Sequence, residues 1–334
     1  MEPRCWVAWI ACIIVTVSVP SAAHAGPQKE KVHTAVSIPG FRSTWFDRLE
    51  AGLRKAAVET GVNVIQVVPS TADPAQQVKL IEDATNQGSD ALLIVPDDPP
   101  AVEPALAAAQ KKNIVTITHQ SPYQPHADYD VEMIDNSLFG ALAMEEMERS
   151  MTSTSGEYAV FVGSFTSADH NLWADAAVAL ARQKYPGLRL VGERFPVSED
   201  QGLSRQTALN LLAAYPDLGA FIVFGSQGGP GVAQALRQRG LVGTVAVVST
   251  TGPAQASPFI KDGSLSASVI WDPAEAGYAM LYLAWLALEG KTSAIGVQLD
   301  IPGLGRPLSF SGNTLVYNRP IVIRKDNVDE FSGF

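Results

Sequence analysis

From residue 32 onward, short apolar runs alternate with longer stretches in which apolar residues recur every three or four positions. The first pattern suits strands and the second suits helices laid against them. VHTAVSI at 32–38 predicts a strand, and over 45–59 Phe46, Leu49 and Leu53 fall on one helical face. Gly61 ends that helix and 62–68 returns to strand. Asp73-Pro74 supplies a cap and a first-turn proline for a helix that carries Val78, Leu80 and Ile81 and stops before Gly88. ALLIV at 91–95 has no polar position, as expected of a parallel strand covered on both faces. A helix at 102–112, a strand at 114–118, a short strand at 131–134 and an Ala-, Met-, Leu- and Glu-rich helix at 137–151 follow.

The alternation then restarts. Strands are predicted at 158–162, 188–195, 220–224, 244–248 and 265–270, and helices at 172–184, 202–214, 232–239 and 273–288. Two consecutive arrays of similar size predict an α/β fold of two Rossmann-like lobes, not one ten-stranded sheet. Beyond Gly290 the chain turns to Gly, Pro and short β runs at 314–317 and 321–323, a tail packed back across the body. No low-complexity linker separates the halves, so several short crossings are expected. Such a pair exposes a cleft at the carboxyl ends of its strands, where open parallel sheets take ligands.

Composition narrows the class. The chain has 334 residues, 46% hydrophobic and 17% charged, enough for two cores and too apolar for disorder. With 24 Lys+Arg against 34 Asp+Glu, the net charge of -10 argues against nucleic-acid binding. The cysteines, Cys5 and Cys12, both lie in an opening segment with Arg4, an apolar run at 7–19 and Ala23-His24-Ala25. That is the pattern of a signal peptide over 1–25, cleaved after Ala25 for export to a periplasm; the alternative is an uncleaved membrane tether. The mature chain then has no cysteine and folds in an oxidising compartment without disulfide chemistry.

The chemistry is marked first by absences. There is no GxSxG, GxxxxGK[ST] or HExxH motif, and His33, His119, His126 and His170 have no metal-site spacing. Neither a cofactor nor a metal is expected. Asp97-Asp98, just past ALLIV, is either a cation pair or a solvated loop. GSQGGPG at 225–231 lacks a dinucleotide fingerprint and is a strand-to-helix turn or a ligand contact.

Five strand-end segments carry what a polyhydroxylated ligand needs: aromatic faces, a fork of donors and carboxylate acceptors. They are Phe41, Arg42, Trp45 and Phe46; Thr118 with His119; Asn136; Asp169 and His170 ahead of Trp173; and Trp271 with Asp272. Each alone is equally explained as core or helix cap, Asp272 especially. Together they mark a site, with Asp169 and Asp272 the strongest acceptors.

In order along the chain stand IPG at 38–40, QVKLIEDATNQGSDALLIVPDDP from Gln77 and TSADHNLWADAAVALARQKYPG from Thr166. LLAAYPDLGAFIVFGSQGGP, VVSTTGPAQASPFIKDG, SVIWDPAEAGYAMLYLAWLALEG and IVIRKDNVDEF follow. This series resembles the periplasmic substrate-binding proteins of sugar ABC transporters with the ribose-binding (type I) fold, and within them the autoinducer-2 and rhamnose-binding branch. The resemblance implies two lobes joined by three crossings, a ligand trapped on closure, and delivery to a membrane permease by a monomer. It places 30–134 plus 272–297 in one lobe and 136–271 plus 298–334 in the other. It also implies contacts from the Phe41–Phe46 segment, Thr118/His119, Asn136, Asp169, Gln227 and Trp271/Asp272.

Departures from that branch concern the ligand. Autoinducer-2 binders of this kind carry a lysine soon after Ile-Pro, where this chain has Gly40 and then Arg42. They have an acid where it reads Thr118-His119, and Asp-Gln where it reads Asp169-His170. A small neutral sugar or polyol, such as a pentose, tetritol or deoxyhexose, is expected instead, bound without catalysis. Two alternatives are a periplasmic sensor of autoinducer-2 or another sugar-like signal feeding a membrane receptor, and a secreted glycoside hydrolase. The hydrolase would pair Asp169 with Asp272, or Glu193 with Glu199.

Overall fold

The computed structural model describes residue 1 and residues 32–331. The expected leader and its cleavage site lie, apart from residue 1, outside the described residues. Among the described residues no helix is long and apolar enough to cross a membrane.

Two α/β lobes follow one another. The first begins β1 (Thr34–Ile38), α1 (Thr44–Thr60), β2 (Asn63–Gln66), α2 (Pro74–Gln87), β3 (Ala91–Ile94), α3 (Pro99–Lys111), β4 (Val115–His119) and β5 (Tyr129–Glu132). Its strands run parallel in the order β2-β1-β3-β4-β5. The second lobe contains α4 (Asn136–Ser150), β6 (Gly156–Val162), α5 (Ala168–Lys184), β7 (Leu188–Leu190), β8 (Phe195–Pro196) and α6 (Gln201–Ala214). It continues with β9 (Leu218–Val223), α7 (Gly228–Arg239), β10 (Ala246–Ser249), α8 (Pro253–Asp262) and β11 (Ala267–Ile270).

Burial on both faces accounts for the apolar strands. In β6, Tyr158, Val160 and Val162 face the core shared with α4 and α5, while Ala159 and Phe161 pack with residues of α6 and α7. The predicted strand at 188–195 is two short pieces, β7 and β8, each paired to β6. The glycine run at 228–231 is the first turn of α7: a methyl group on Gly229 would lie 2.5 Å from Ser249 Oγ, so the helix starts hard against β10. Helix α8, which the periodicity did not predict, opens with Pro253 at a position that tolerates it.

After β11 the chain returns to the first lobe as α9 (Pro273–Leu288), which packs along α1. Gly52 and Gly277 allow this approach: a methyl on Gly52 would fall 1.9 Å from Ala274 O, and one on Gly277 2.2 Å from Leu49 O.

The tail divides differently from expectation. A hairpin of β12 (Ser309–Ser311) and β13 (Thr314–Val316) belongs to the first sheet, with β13 parallel to β5. Only β14 (Ile321–Ile323), antiparallel to β11, and the 3-10 turn Val328–Phe331 join the second lobe. The third crossing is therefore 317–320, not 297–298. Both sheets would otherwise end in an open, bondable strand, β5 in one and β11 in the other, and short β runs of like composition cover both.

The three crossings lie side by side. Tyr317 N–H donates to Glu132 O (2.6 Å), Arg319 N–H donates to Met133 O (2.9 Å), and the Arg319 guanidinium makes two 2.6 Å bonds to Glu275 on α9.

Candidate functional site between the lobes

The loops after β1, β3 and β4 meet those after β6, β8, β9, β10 and β11 around a cleft with about 750 Å³ of empty space, its mouth included. Aromatic rings form much of its wall: Phe41, Trp45 and Phe46 from the first lobe, Trp173 from α5, and Trp271 from the second crossing. Trp271 sits edge-on to both Trp45 (6.0 Å) and Trp173 (5.5 Å), while Trp45 stacks on His119 at 5.8 Å and 8°. Rings in such contacts present broad apolar faces at fixed angles, suited to the C–H face of a sugar. Gln120, also in the wall, has φ 58°, a left-handed conformation that non-glycine residues adopt rarely.

The polar lining is acidic. Asp169 is buried in the first turn of α5; its Oδ1 accepts from Asn136 Nδ2 (3.1 Å), whose Oδ1 accepts from Trp173 Nε1 (2.6 Å). Asp169 Oδ2 and Trp271 Nε1 are buried without a partner. Burial, with the Asp130 charge behind it, pushes the Asp169 carboxyl up to about 7. Glu199 accepts from Ser226 Oγ (2.9 Å) and the Ser226 N–H (3.3 Å), and burial raises it to about 7 as well, with Asp97 adding to the rise. Asp97 itself is raised by burial and by Asp98 and Asp73.

His170 Nδ1 accepts the Gly163 N–H (3.0 Å), so Nε2 carries the ring proton, 4.0 Å from Glu199. Burial lowers His170 to about 4, which keeps the ring neutral.

Of the residues expected at the site, Phe41, Trp45, Phe46, Asp169, His170 and Trp271 line the cleft. Thr118, His119 and Asn136 stand one layer behind it. Thr118 Oγ1 donates to Asp130 (2.8 Å), the His119 ring bonds to Val131 O, and Asn136 positions Asp169. Arg42 is exposed outside the lining, and Gln227 is tied to Ser226 (3.1 Å) and Gln255 (3.0 Å).

Asp272 corrects the sequence reading. It caps α9 through the Ala274 N–H (2.8 Å) and binds the Arg48 fork at 3.0 and 2.8 Å, so its acceptors are used inside the first lobe. Neither imagined carboxylate pair meets in the cleft, since Asp272 is outside the lining and Glu193 borders a separate groove with Arg182 and Arg194. Asp98 caps α3 through the Ala101 N–H (3.1 Å), leaving Asp97 alone toward the cleft. Among the described residues no group of three His, Cys, Asp or Glu is arranged to hold a metal ion.

Asp97, Gln120, Glu199, Ser226 and Thr250 also line the cleft, beyond the twelve residues expected there. Each follows a strand end within a few residues, the one signal that marked the others.

Known proteins resemble this chain in sequence and in fold. The chain is 26% identical over 295 residues to the D-allose-binding periplasmic protein of Escherichia coli (strain K12), covering 86% of this chain and 92% of that protein. It is 25% identical over 300 residues to the ribose import binding protein RbsB of Salmonella typhimurium, covering 87% and 96%. Among solved structures, it superimposes on LsrB from Clostridium saccharobutylicum in complex with AI-2 with a TM-score of 0.81 at 21% identity, over 89% of this chain and 99% of that one. An ABC transporter solute-binding protein from Clostridium phytofermentas with bound L-rhamnose gives 0.82 at 20% identity, over 91% and 99%. These last two likenesses concern the fold. Residues 34–292 match the family model described as periplasmic binding protein domain, and the chain belongs to that family, related to the sugar-binding proteins of ABC transporters.

Proposed function

We propose that this protein captures a small sugar or polyol, of pentose, tetritol or deoxyhexose size, in the interlobe cleft and delivers it to the permease of an ABC importer. The observation that carries the reading is the pairing of aromatic walls with buried, unpartnered polar atoms, Asp169 Oδ2 and Trp271 Nε1, in one cleft. An unmet buried donor or acceptor costs about 1–3 kcal/mol, so a ligand that supplies hydroxyls there gains what the empty site lacks.

Wall residues come from both lobes, so a ligand touching both favours the conformation in which they approach. Asn136 and Trp173 hold the Asp169 carboxyl in place before the ligand arrives, which limits the ordering cost of binding. No bond is made or broken. The names of the relatives, D-allose-binding and ribose import, support the ligand class and the transport role.

A thermal-shift screen of sugars and polyols against the purified protein tests this. A true ligand at a hundredfold excess over its Kd stabilises the folded form by about 2.7 kcal/mol. A response confined to amino acids or lipids would overturn the proposal.

A further inference from the structure

Carboxyl groups face the cleft from both lobes, and among the described residues no Lys or Arg lines it. Asp97 enters from the loop after β3, Glu199 from the loop between β8 and α6, and Asp169 from the start of α5. Both Asp97 and Glu199 line the cleft, one from each lobe, and the Asp97 charge reaches Glu199. The groups that face Glu199 are the Ser226 hydroxyl and N–H, the His170 ring and Asp97; those that face Asp97 are Asp98 and Asp73. None of them is cationic, because His170 uses Nδ1 as an acceptor and stays neutral. Two nearby guanidiniums are engaged elsewhere, Arg48 with Asp272 and Arg194 with Asp175 and Asn171.

A neutral ligand can bond to these carboxyls but brings no countercharge as water leaves. Unpaired buried carboxylates are costly, and a partner of opposite sign removes that cost. The walls favour the same partner, since the faces of Phe41, Trp45, Trp173 and Trp271 carry the negative side of the ring quadrupole. Asp169 Oδ2, buried and unpartnered, is a further acceptor in the same space.

We infer that the preferred ligand carries a protonated nitrogen beside its hydroxyls, as an amino sugar or aminopolyol does, with the nitrogen seated between Asp97 and Glu199. This rests on the sugar-or-polyol reading of the same cleft. The nitrogen would link one carboxyl from each lobe, so the group that defines the ligand would also draw the lobes together. Sugar acids and sugar phosphates would be rejected by the same charges.

Calorimetric titration of the whole protein with matched pairs tests the inference: 4-amino-4-deoxy-L-arabinose against L-arabinose, 1-amino-1-deoxyerythritol against erythritol, and D-glucosamine against D-glucose. The amine of at least one pair should bind about tenfold or more tightly than its neutral partner, a difference of about 1.4 kcal/mol. Its binding near neutral pH should release protons, read as a heat that depends on the buffer. Asp97→Asn and Glu199→Gln should each shrink the amine-to-neutral affinity ratio about tenfold, with thermal unfolding confirming that both variants fold. Neutral partners binding as well as or better than every amine would overturn the inference and leave the sugar reading intact. Binding of neither class would overturn both.

Discussion

Glu132 is buried close to two other buried carboxyls, Asp130 on its own strand and Asp169 from the opposite lobe, whose charges reach it. Burial first, and then the charges of Asp169 and Asp130, hold Glu132 well above the ordinary range. Asp130 is raised by burial to about 6, though the hydrogen bond from the Thr118 hydroxyl opposes the rise. With Asp169 raised from 3.8 to about 7, the folded protein binds more protons than the unfolded chain. The stability these acids contribute is full below their unfolded values and is lost as pH rises toward 7. His119 and His170 act oppositely: lowered by burial from 6.5 to about 4, they contribute stability above 6.5 that is lost as pH falls. Replacing Glu132 with Gln removes one raised acid, so the variant should gain stability relative to wild type between about pH 5 and about pH 8. Urea unfolding at both values checks this, and parallel losses in the two proteins would refute it. At Asp272, alanine substitution removes a helix cap and the Arg48 ion pair, and should cost about 1–3 kcal/mol in the same measurement. The cap was legible in Asp272-Pro273. The partner, Arg48, was not, because it lies 224 residues away.

At the scale of elements, the tightest constraint is the pair α1 and α9, whose backbones touch through Gly52 and Gly277. A side chain at either position meets backbone, which cannot turn aside as a flexible side chain can. Gly277→Ala should therefore lower stability by about 1–3 kcal/mol or more, the range of overpacked cores, as read by chemical denaturation. An unchanged midpoint would show that the helices can separate freely. The pattern predicted both helices, α1 from its apolar spacing and the Gly61 stop, α9 from the Asp272-Pro273 start. It did not predict that they touch. The β runs at 314–317 and 321–323 show the same limit: three-residue strands of similar composition go to different sheets.

For the whole molecule, the three crossings form one bonded strip, with Trp271 on it touching Trp45 of one lobe and Trp173 of the other. A rotation of one lobe against the other must move these rings relative to each other. Ligand binding should change tryptophan fluorescence and reduce the radius of gyration in X-ray scattering. Saturation by a tight ligand with both signals unchanged would exclude closure.

The sequence by itself determined the alternation of strands and helices, the two arrays and several of the strand ends that meet at the cleft. Those properties arise from local hydrophobic periodicity and caps, which neighbouring residues carry without help. Six of the twelve residues expected at the site proved to line the cleft, aromatics foremost, because they follow strand ends directly. Only the tertiary structure decided that Asp272 serves Arg48, that Asp97 and Glu199 line one cleft, and that Glu132 is buried within reach of the Asp169 charge from the opposite lobe. A carboxyl's role is set by which charge or donor stands within a few ångströms, and here those neighbours come from distant parts of the chain.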